Sequence, residues 1–268
     1  MNNKIKLSFL SLFLLMTCLT GCKEKDTNDY TDYTNMEYRY AKGVNGAVTC
    51  ANNRVSKIGL DTLQAGGNAF DAAVAMSFGL GLLEPNASGM GGGGVMTGYN
   101  AKTGEYVFYN YREFAPKNIS YDLFTDEEQL TYGGLASAVP MQVSGLLDIY
   151  NDLGSKALTL QQVLQPTIDY CDNGFEIDDR LYVNITWETM KAYAPEEALA
   201  LYGYWNENKQ TYQRSKRAGD TITNTGLGNV LKEIANKVGI IQRLVFVLIS
   251  IIFSTGLWLY IQINNNPI

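Results

Sequence analysis

The spacing of apolar residues predicts an amphipathic helix in "NRVSKIGLDTLQAGG", residues 53–67. Val55, Ile58 and Leu63 fall on one face of such a helix, and the pair Gly66-Gly67 is typical of a helix C-terminus. The preceding run "GAVTCA", residues 46–51, predicts a short strand at the start of the folded part. This order of elements indicates mixed helix and strand structure.

A second helix is predicted directly after the first. Asn68, followed three residues later by Asp71, has the spacing of an N-terminal cap. The segment "AFDAAVAMSFGLGLL", residues 69–83, is small and apolar on nearly all sides, so we expect this helix to be buried against a sheet.

Glycines dominate the next segment, "SGMGGGGVMTGYN", and give it a formal GxGxxG pattern at Gly89, Gly91 and Gly94. A dinucleotide site needs a strand before these glycines and a helix after them, because the phosphate binds at the N-terminus of that helix. The order here is the reverse, which argues against nucleotide binding. We expect the glycines to let the backbone pass close to other backbone or to a ligand.

Two strands, "GVMTGYN" and "EYVFYNY", are joined by "AKTG" and predict a β-hairpin. We expect the helices around Asp61 and Ala73 to pack on a sheet that contains these strands, near Val95 and Val107. The hairpin would place Arg112 of "NYREFAP" at a strand end beside the glycine-rich turn. There a guanidinium and backbone donors could bind a carboxylate, although a solvated surface ion pair is the alternative.

Composition excludes several classes of function. The formal net charge of -6 gives no basic surface for nucleic acid. The chain has no histidine, which removes the commonest general base and the commonest metal ligand. Its four cysteines show no CxxC pairing, which argues against a structural zinc site. We expect neither a metal site nor a cofactor. Sequence alone leaves open whether Cys50 and Cys171 form a disulfide.

The N-terminus resembles a bacterial lipoprotein signal. Two lysines precede an apolar stretch and then "LTGC", which predicts a signal peptide at 1–21 and a lipidated Cys22. The apolar stretch is shorter than the roughly 20 residues that a membrane-spanning helix needs. We therefore expect a membrane-anchored lipoprotein of the bacterial cell envelope, with residues 22–45 as a flexible polar spacer.

The C-terminal segment, residues 238–268, is apolar and uncharged from Leu244 to Ile263. By length it qualifies as a transmembrane helix. However, Lys237 and Arg243 precede it and no basic residue follows, which would place the exported domain on the wrong side of the membrane. We expect a frameshifted or truncated reading here in preference to a true anchor, and we expect the segment not to pack into the core.

Several motifs in order resemble the large-subunit half of the gamma-glutamyltranspeptidases, or glutathione hydrolases, over residues 46–237. They are "GGNAFDAAVA", "GLLEPNASGMGGGGVMTGYN", "YNYREFAP", "GGLASAVPMQVSGLLDIYNDLG" and "TLQQVLQPTIDYCDNGF". The resemblance implies an α+β fold, the αββα sandwich of the N-terminal nucleophile hydrolases. It also implies that Arg112 binds the α-carboxylate of a γ-glutamyl substrate such as glutathione. We expect Glu113 to orient the arginine or the neighbouring backbone and not to act as an acid or base.

The same resemblance implies a catalytic threonine that is freed by self-cleavage and followed by a second threonine and a histidine. The chain contains no such segment, so we expect no catalytic residue in it and no activity without the missing small-subunit half. Thr221, Thr223 and Thr225 are interpreted as turn and capping residues. Two alternatives remain open: a related acylase of the cephalosporin type, and a non-catalytic envelope lipoprotein.

Overall fold

The computed structural model describes residues 43–131, 133–185 and 196–236. The chain divides after Ala47 into two compact units, and the elements below all belong to the second. The helices are α1 (Asn53–Gln64), α2 (Ala69–Leu83), α3 (Pro85–Ser88), α4 (Gln142–Leu153), α5 (Leu160–Asn173), α6 (Asp179–Asn184), α7 (Glu196–Tyr202) and α8 (Thr225–Asn236). The strands are β1 (Gly94–Asn100), β2 (Glu105–Tyr111), β3 (Phe175–Glu176), β4 (Gly203–Asn206), β5 (Thr211–Ser215) and β6 (Thr221–Ile222).

Local sequence signals account for the first two helices. The side chain of Asn68 accepts hydrogen bonds from the backbone N–H groups of Phe70 and Asp71. The side chain of Asp71 in turn accepts a hydrogen bond from the backbone N–H of Asn68. This capping box confirms the predicted start of α2. Helix α1 ends where predicted, and Gly66 takes a φ of 96° immediately after its C-cap.

The core is a layer of packed helices. Helix α2 contacts α1, α4 and α5, while α5 also packs against α8. The largest fully buried side chains include Phe78 of α2 and Ile168 of α5. Because α2 has neighbours on several sides, its nearly uniform apolar composition is explained by helix packing.

Strands β1 and β2 form the predicted antiparallel hairpin, in which Gly94 pairs with Tyr111 and Asn100 with Glu105. One face packs on the helices: Gly98 lies against the ring of Phe70 in α2, and Tyr111 lies against Gly145 in α4. Two other antiparallel pairs, β3 with β6 and β4 with β5, complete the strands of the described residues.

Two sequence-based expectations were wrong in detail. Residues 46–51 form no strand, so the predicted "GAVTCA" strand is absent from the described chain. The described strands form three separate two-stranded pairs, where we expected one sheet carrying both helices, and α1 packs mainly on α2. Mixed helix and strand content is confirmed.

Candidate functional site

A cleft of about 1310 Å³ opens beside the end of the β1–β2 hairpin. One wall is the segment 85–93, which we call the glycine wall, and Arg112 and Glu113 lie next to it. The lining also includes residues of α7 and residues 223–227 at the start of α8. The cleft is therefore bounded by segments that are far apart in sequence.

Backbone hydrogen bonds hold both ends of the glycine wall. At its start, the carbonyl of Glu84 accepts from the N–H groups of Ala87 and Ser88 at 3.1 and 3.0 Å. Near its end, the carbonyl of Gly92 accepts from the N–H groups of Met141 and Gln142, both at 3.0 Å. The second pair attaches the wall to the N-terminus of α4.

Arg112 directly follows β2 and borders the cleft. Its backbone N–H donates to Asn110 Oδ1 at 3.1 Å, and its Nη2 lies 3.0 Å from Glu113 Oε1. The Arg112 side chain is 63% exposed, against 26% for Glu113. An ion pair this exposed contributes little to stability. Because most of the Arg112 side chain is exposed, its guanidinium is accessible to a ligand.

Glu113 is seated against Gly93. A Cβ atom added to Gly93 would lie 2.6 Å from Glu113 Oε2 and 2.4 Å from the carbonyl oxygen of Tyr111. The absence of a side chain at position 93 therefore makes room for the carboxylate that pairs with Arg112. The Oε2 atom itself is buried and has no hydrogen-bond partner among the described residues.

Tyr111 and Tyr109 fix the end of β2 on the helices. The Tyr111 ring packs against Gly94 and Gly145, and burial raises the pKa of its hydroxyl. Tyr109 donates a hydrogen bond to Asp152 Oδ2 at 2.9 Å. Burial, followed by that bond, raises the pKa of Tyr109 to about 12. Through these contacts the two tyrosines hold the strand end that carries Arg112.

The lining at the start of α8 is polar. Asn224 Oδ1 accepts from the N–H of Leu227 at 3.0 Å, which caps the helix, and the N–H of Asn224 donates to the carbonyl of Cys171. Thr223 lies in the short connection between β6 and α8, and Thr225 is the first residue of α8. The interpretation of the three threonines as turn and capping residues was wrong for Thr221, which belongs to β6, and the cap of α8 comes from Asn224 instead of Thr225.

Other predicted chemistry is only partly covered by the described residues. Cys50 and Cys171 are both free thiols. In the described ranges, no cluster of His, Cys, Asp and Glu side chains could hold a metal ion, and no helix could span a membrane by length and hydropathy. Cys22 and the segment 238–268 lie outside the described residues.

Sequence reasoning found Arg112 but missed most of its surroundings. Gln142, Glu197 and Asn224 also border the cleft. None of them has a local signal that points to a site, because each reaches the cleft through the packing of helices distant in the chain. The substrate-binding role of Arg112 remains a prediction.

Comparison with known proteins identifies the family. A family model described as gamma-glutamyltranspeptidase matches residues 55–241. The chain is 36% identical over 166 residues to a glutathione hydrolase proenzyme of Bacillus subtilis, covering 59% of this chain and 27% of that protein. It is 33% identical over 198 residues to the glutathione hydrolase proenzyme of Pseudomonas aeruginosa, covering 72% and 33%. The chain thus spans about a third or less of the length of these curated relatives.

Solved structures show the same relationship. The crystal structure of Helicobacter pylori gamma-glutamyltranspeptidase superposes with a TM-score of 0.63 at 26% identity, covering 73% of this chain and 55% of that one. The cephalosporin acylase of Bacillus halodurans superposes with a TM-score of 0.58 at 25% identity, covering 68% and 34%. By sequence and by structure, this chain belongs to the gamma-glutamyltranspeptidase family.

Proposed function

We propose that these residues form the substrate-binding part of a gamma-glutamyltransferase or glutathione hydrolase, which cleaves or transfers the γ-glutamyl group of glutathione and related amides. The observation that carries the proposal is Arg112, held at the end of a packed strand with most of its side chain open to a large cleft. Family membership supports γ-glutamyl compounds as the substrate class.

The chemistry at Arg112 suits a carboxylate ligand. In the described contacts its ion pair with Glu113 uses Nη2, and the guanidinium carries five N–H donors in a planar fork. A bound α-carboxylate could accept two parallel hydrogen bonds from that fork, which is stronger and more directional than binding by a lysine. Glu113 would then fix the plane of the guanidinium.

Catalysis is proposed to depend on polypeptide outside these 268 residues. The chain has no histidine, and it spans about a third or less of its curated relatives. The outer face of the hairpin supports an additional half: Val95, Tyr99, Tyr106 and Phe108 are all more than half exposed there. We propose that this apolar face packs against the complementary half, completing an αββα sandwich, and that the 268 residues alone are inactive.

Calorimetry on the purified chain tests the binding proposal. Glutathione should bind, and glutarate should bind more weakly because it lacks the amino-acid head. No heat with glutathione at millimolar concentration would refute the proposal. Release of p-nitroaniline from γ-glutamyl-p-nitroanilide by the chain alone would refute the proposed inactivity.

A second candidate is an acylase, favoured by the structural similarity to the cephalosporin acylase. An acylase site for glutaryl side chains would bind glutarate at least as well as glutathione, so the same titration separates the two. If the chain binds glutathione but shows no turnover even when it is combined with the complementary half, the third possibility, a non-catalytic envelope lipoprotein, is favoured.

We also propose that the protein is exported and anchored to a bacterial membrane through Cys22. Expression of the full chain in a bacterial host with labelled palmitate should label the protein, and Cys22→Ser should abolish the label. Equal labelling of both forms would contradict a lipid anchor at this position.

A further inference from the structure

Glu84 is a buried carboxylate that immediately precedes the glycine wall. It is 4% exposed and occupies the junction between α2 and α3. Its backbone carbonyl starts the turn that leads into the wall. A displacement of Glu84 would therefore be transmitted directly to the residues that line the cleft.

The charge of Glu84 is matched by an arginine from a distant part of the chain. Arg180 of α6 places Nη2 3.4 Å from Glu84 Oε2, while Oε1 is buried without a hydrogen-bond partner among the described residues. Only the Glu84 side of the pair is buried: the Arg180 side chain is 54% exposed, so solvent screens the pair and its net contribution to stability is small, but it gives the buried carboxylate an oppositely charged partner at a fixed position. The pair is therefore better explained by the position it imposes than by the stability it contributes.

The helix that carries Arg180, α6, is held in place by side-chain hydrogen bonds. Asp178 caps α6 by accepting from the N–H of Leu181 at 2.8 Å, and its other oxygen accepts from Asn52 Nδ2 at 3.3 Å. Arg54 Nη1 donates to the carbonyl of Glu176 at 2.9 Å. The start of α6 is thus tied to the start of α1 in the helical core.

We propose that Arg180 is a positioning residue for the cleft, which acts through Glu84 to fix the glycine wall beside Arg112. The consequence for ligand binding rests on the proposed function, whereas the effect on the wall does not. We expect Arg180 itself to touch no substrate, because it is absent from the cleft lining.

Hydrogen exchange and calorimetry on the full chain test this role. Arg180→Gln should speed amide exchange in residues 85–93 but not in α5, and should weaken glutathione binding by about 2- to 30-fold, the range found for residues that act at a distance. Arg180→Lys, which keeps the charge, should retain most of the protection. Lys57→Gln is the matched control, since it removes an exposed ion pair with Asp61 far along α1.

A double variant separates positioning from simple stability. In Arg180→Gln the buried carboxylate of Glu84 loses its charged partner. The double variant Glu84→Gln with Arg180→Gln also removes that carboxylate, so its melting temperature should return towards that of the wild type. If Arg180 positions the wall, exchange in 85–93 stays fast and glutathione binding stays weak. Recovery of both together with stability would overturn the proposal, as would unchanged exchange in Arg180→Gln. Should the wild-type chain bind no glutathione, the proposed function fails, and the exchange measurements alone decide the role of Arg180.

Discussion

The substitution Gly93→Ala tests how Arg112 is held. The added Cβ atom would lie 2.4 Å from the carbonyl oxygen of Tyr111, 2.6 Å from the backbone nitrogen of Glu113 and 2.6 Å from Glu113 Oε2. Side chains do not approach other atoms so closely, and two of the three obstacles are backbone. The start of β1 and the end of β2 must therefore separate, and the Glu113 carboxylate must leave its place.

The size of the effect follows from overpacking. Forcing a methyl group into such a site costs about 1–3 kcal/mol, which lowers the melting temperature of a domain of this size by about 2–12 °C. Differential scanning calorimetry measures the shift, and titration with glutathione measures the accompanying loss of affinity. Gly92→Ala is the matched control, because its Cβ would meet only the Gly89 carbonyl oxygen at 3.4 Å. Equal melting temperatures for Gly93→Ala, Gly92→Ala and the wild type would refute this account of the strand end.

Two further predictions concern buried groups of the core. Asp71 Oδ2 accepts hydrogen bonds from the backbone N–H groups of both Asn68 and Ser155. Asp71→Ala should therefore lower the free energy of unfolding, measured by urea denaturation, by about 2–4 kcal/mol. A loss below about 1 kcal/mol would contradict this role of Asp71. Burial raises the pKa of Cys171 from 9.0 to about 12, so iodoacetamide at pH 8 should alkylate Cys171 only after unfolding, as read by peptide mass spectrometry. The pKa of Cys171 is higher in the folded chain than in the unfolded one. The folded state is therefore favoured by the protonated thiol below pH 9, and this stabilisation declines as the pH rises towards 12. Rapid native alkylation of Cys171 would show that the site opens readily.

Local features of the fold were predictable from sequence. The capping box of Asn68 and Asp71, the glycine after α1 and the "AKTG" hairpin each depend on residues within a few positions of one another. The strand expected at 46–51 failed because a short apolar run has no strand character of its own without a pairing partner. The substrate-binding interpretation of Arg112 came from the family resemblance. The sequence pattern alone shows only that a charged residue stands at the end of a strand.

The rest of the site depends on distant contacts. Glu84 and Arg180 are 96 positions apart, and neither carries a sequence signal for the other. Gln142 reaches the cleft because α4 packs on β2. Gly93 matters because it leaves room for the carboxylate of Glu113, which follows the end of β2. Such relationships arise from tertiary packing, so a periodicity or motif search does not reveal them.

Binding of glutathione to Arg112→Lys is the most direct test of the proposed site. Lysine keeps the charge but loses the planar fork, so affinity measured by calorimetry should fall by roughly 1–3 kcal/mol, or about 5- to 150-fold. Arg217→Lys, a change at an exposed arginine outside the cleft lining, should bind as the wild type does. If Arg112→Lys binds glutathione as tightly as the wild type and the control, Arg112 is a solvated surface residue and the proposed γ-glutamyl site is wrong.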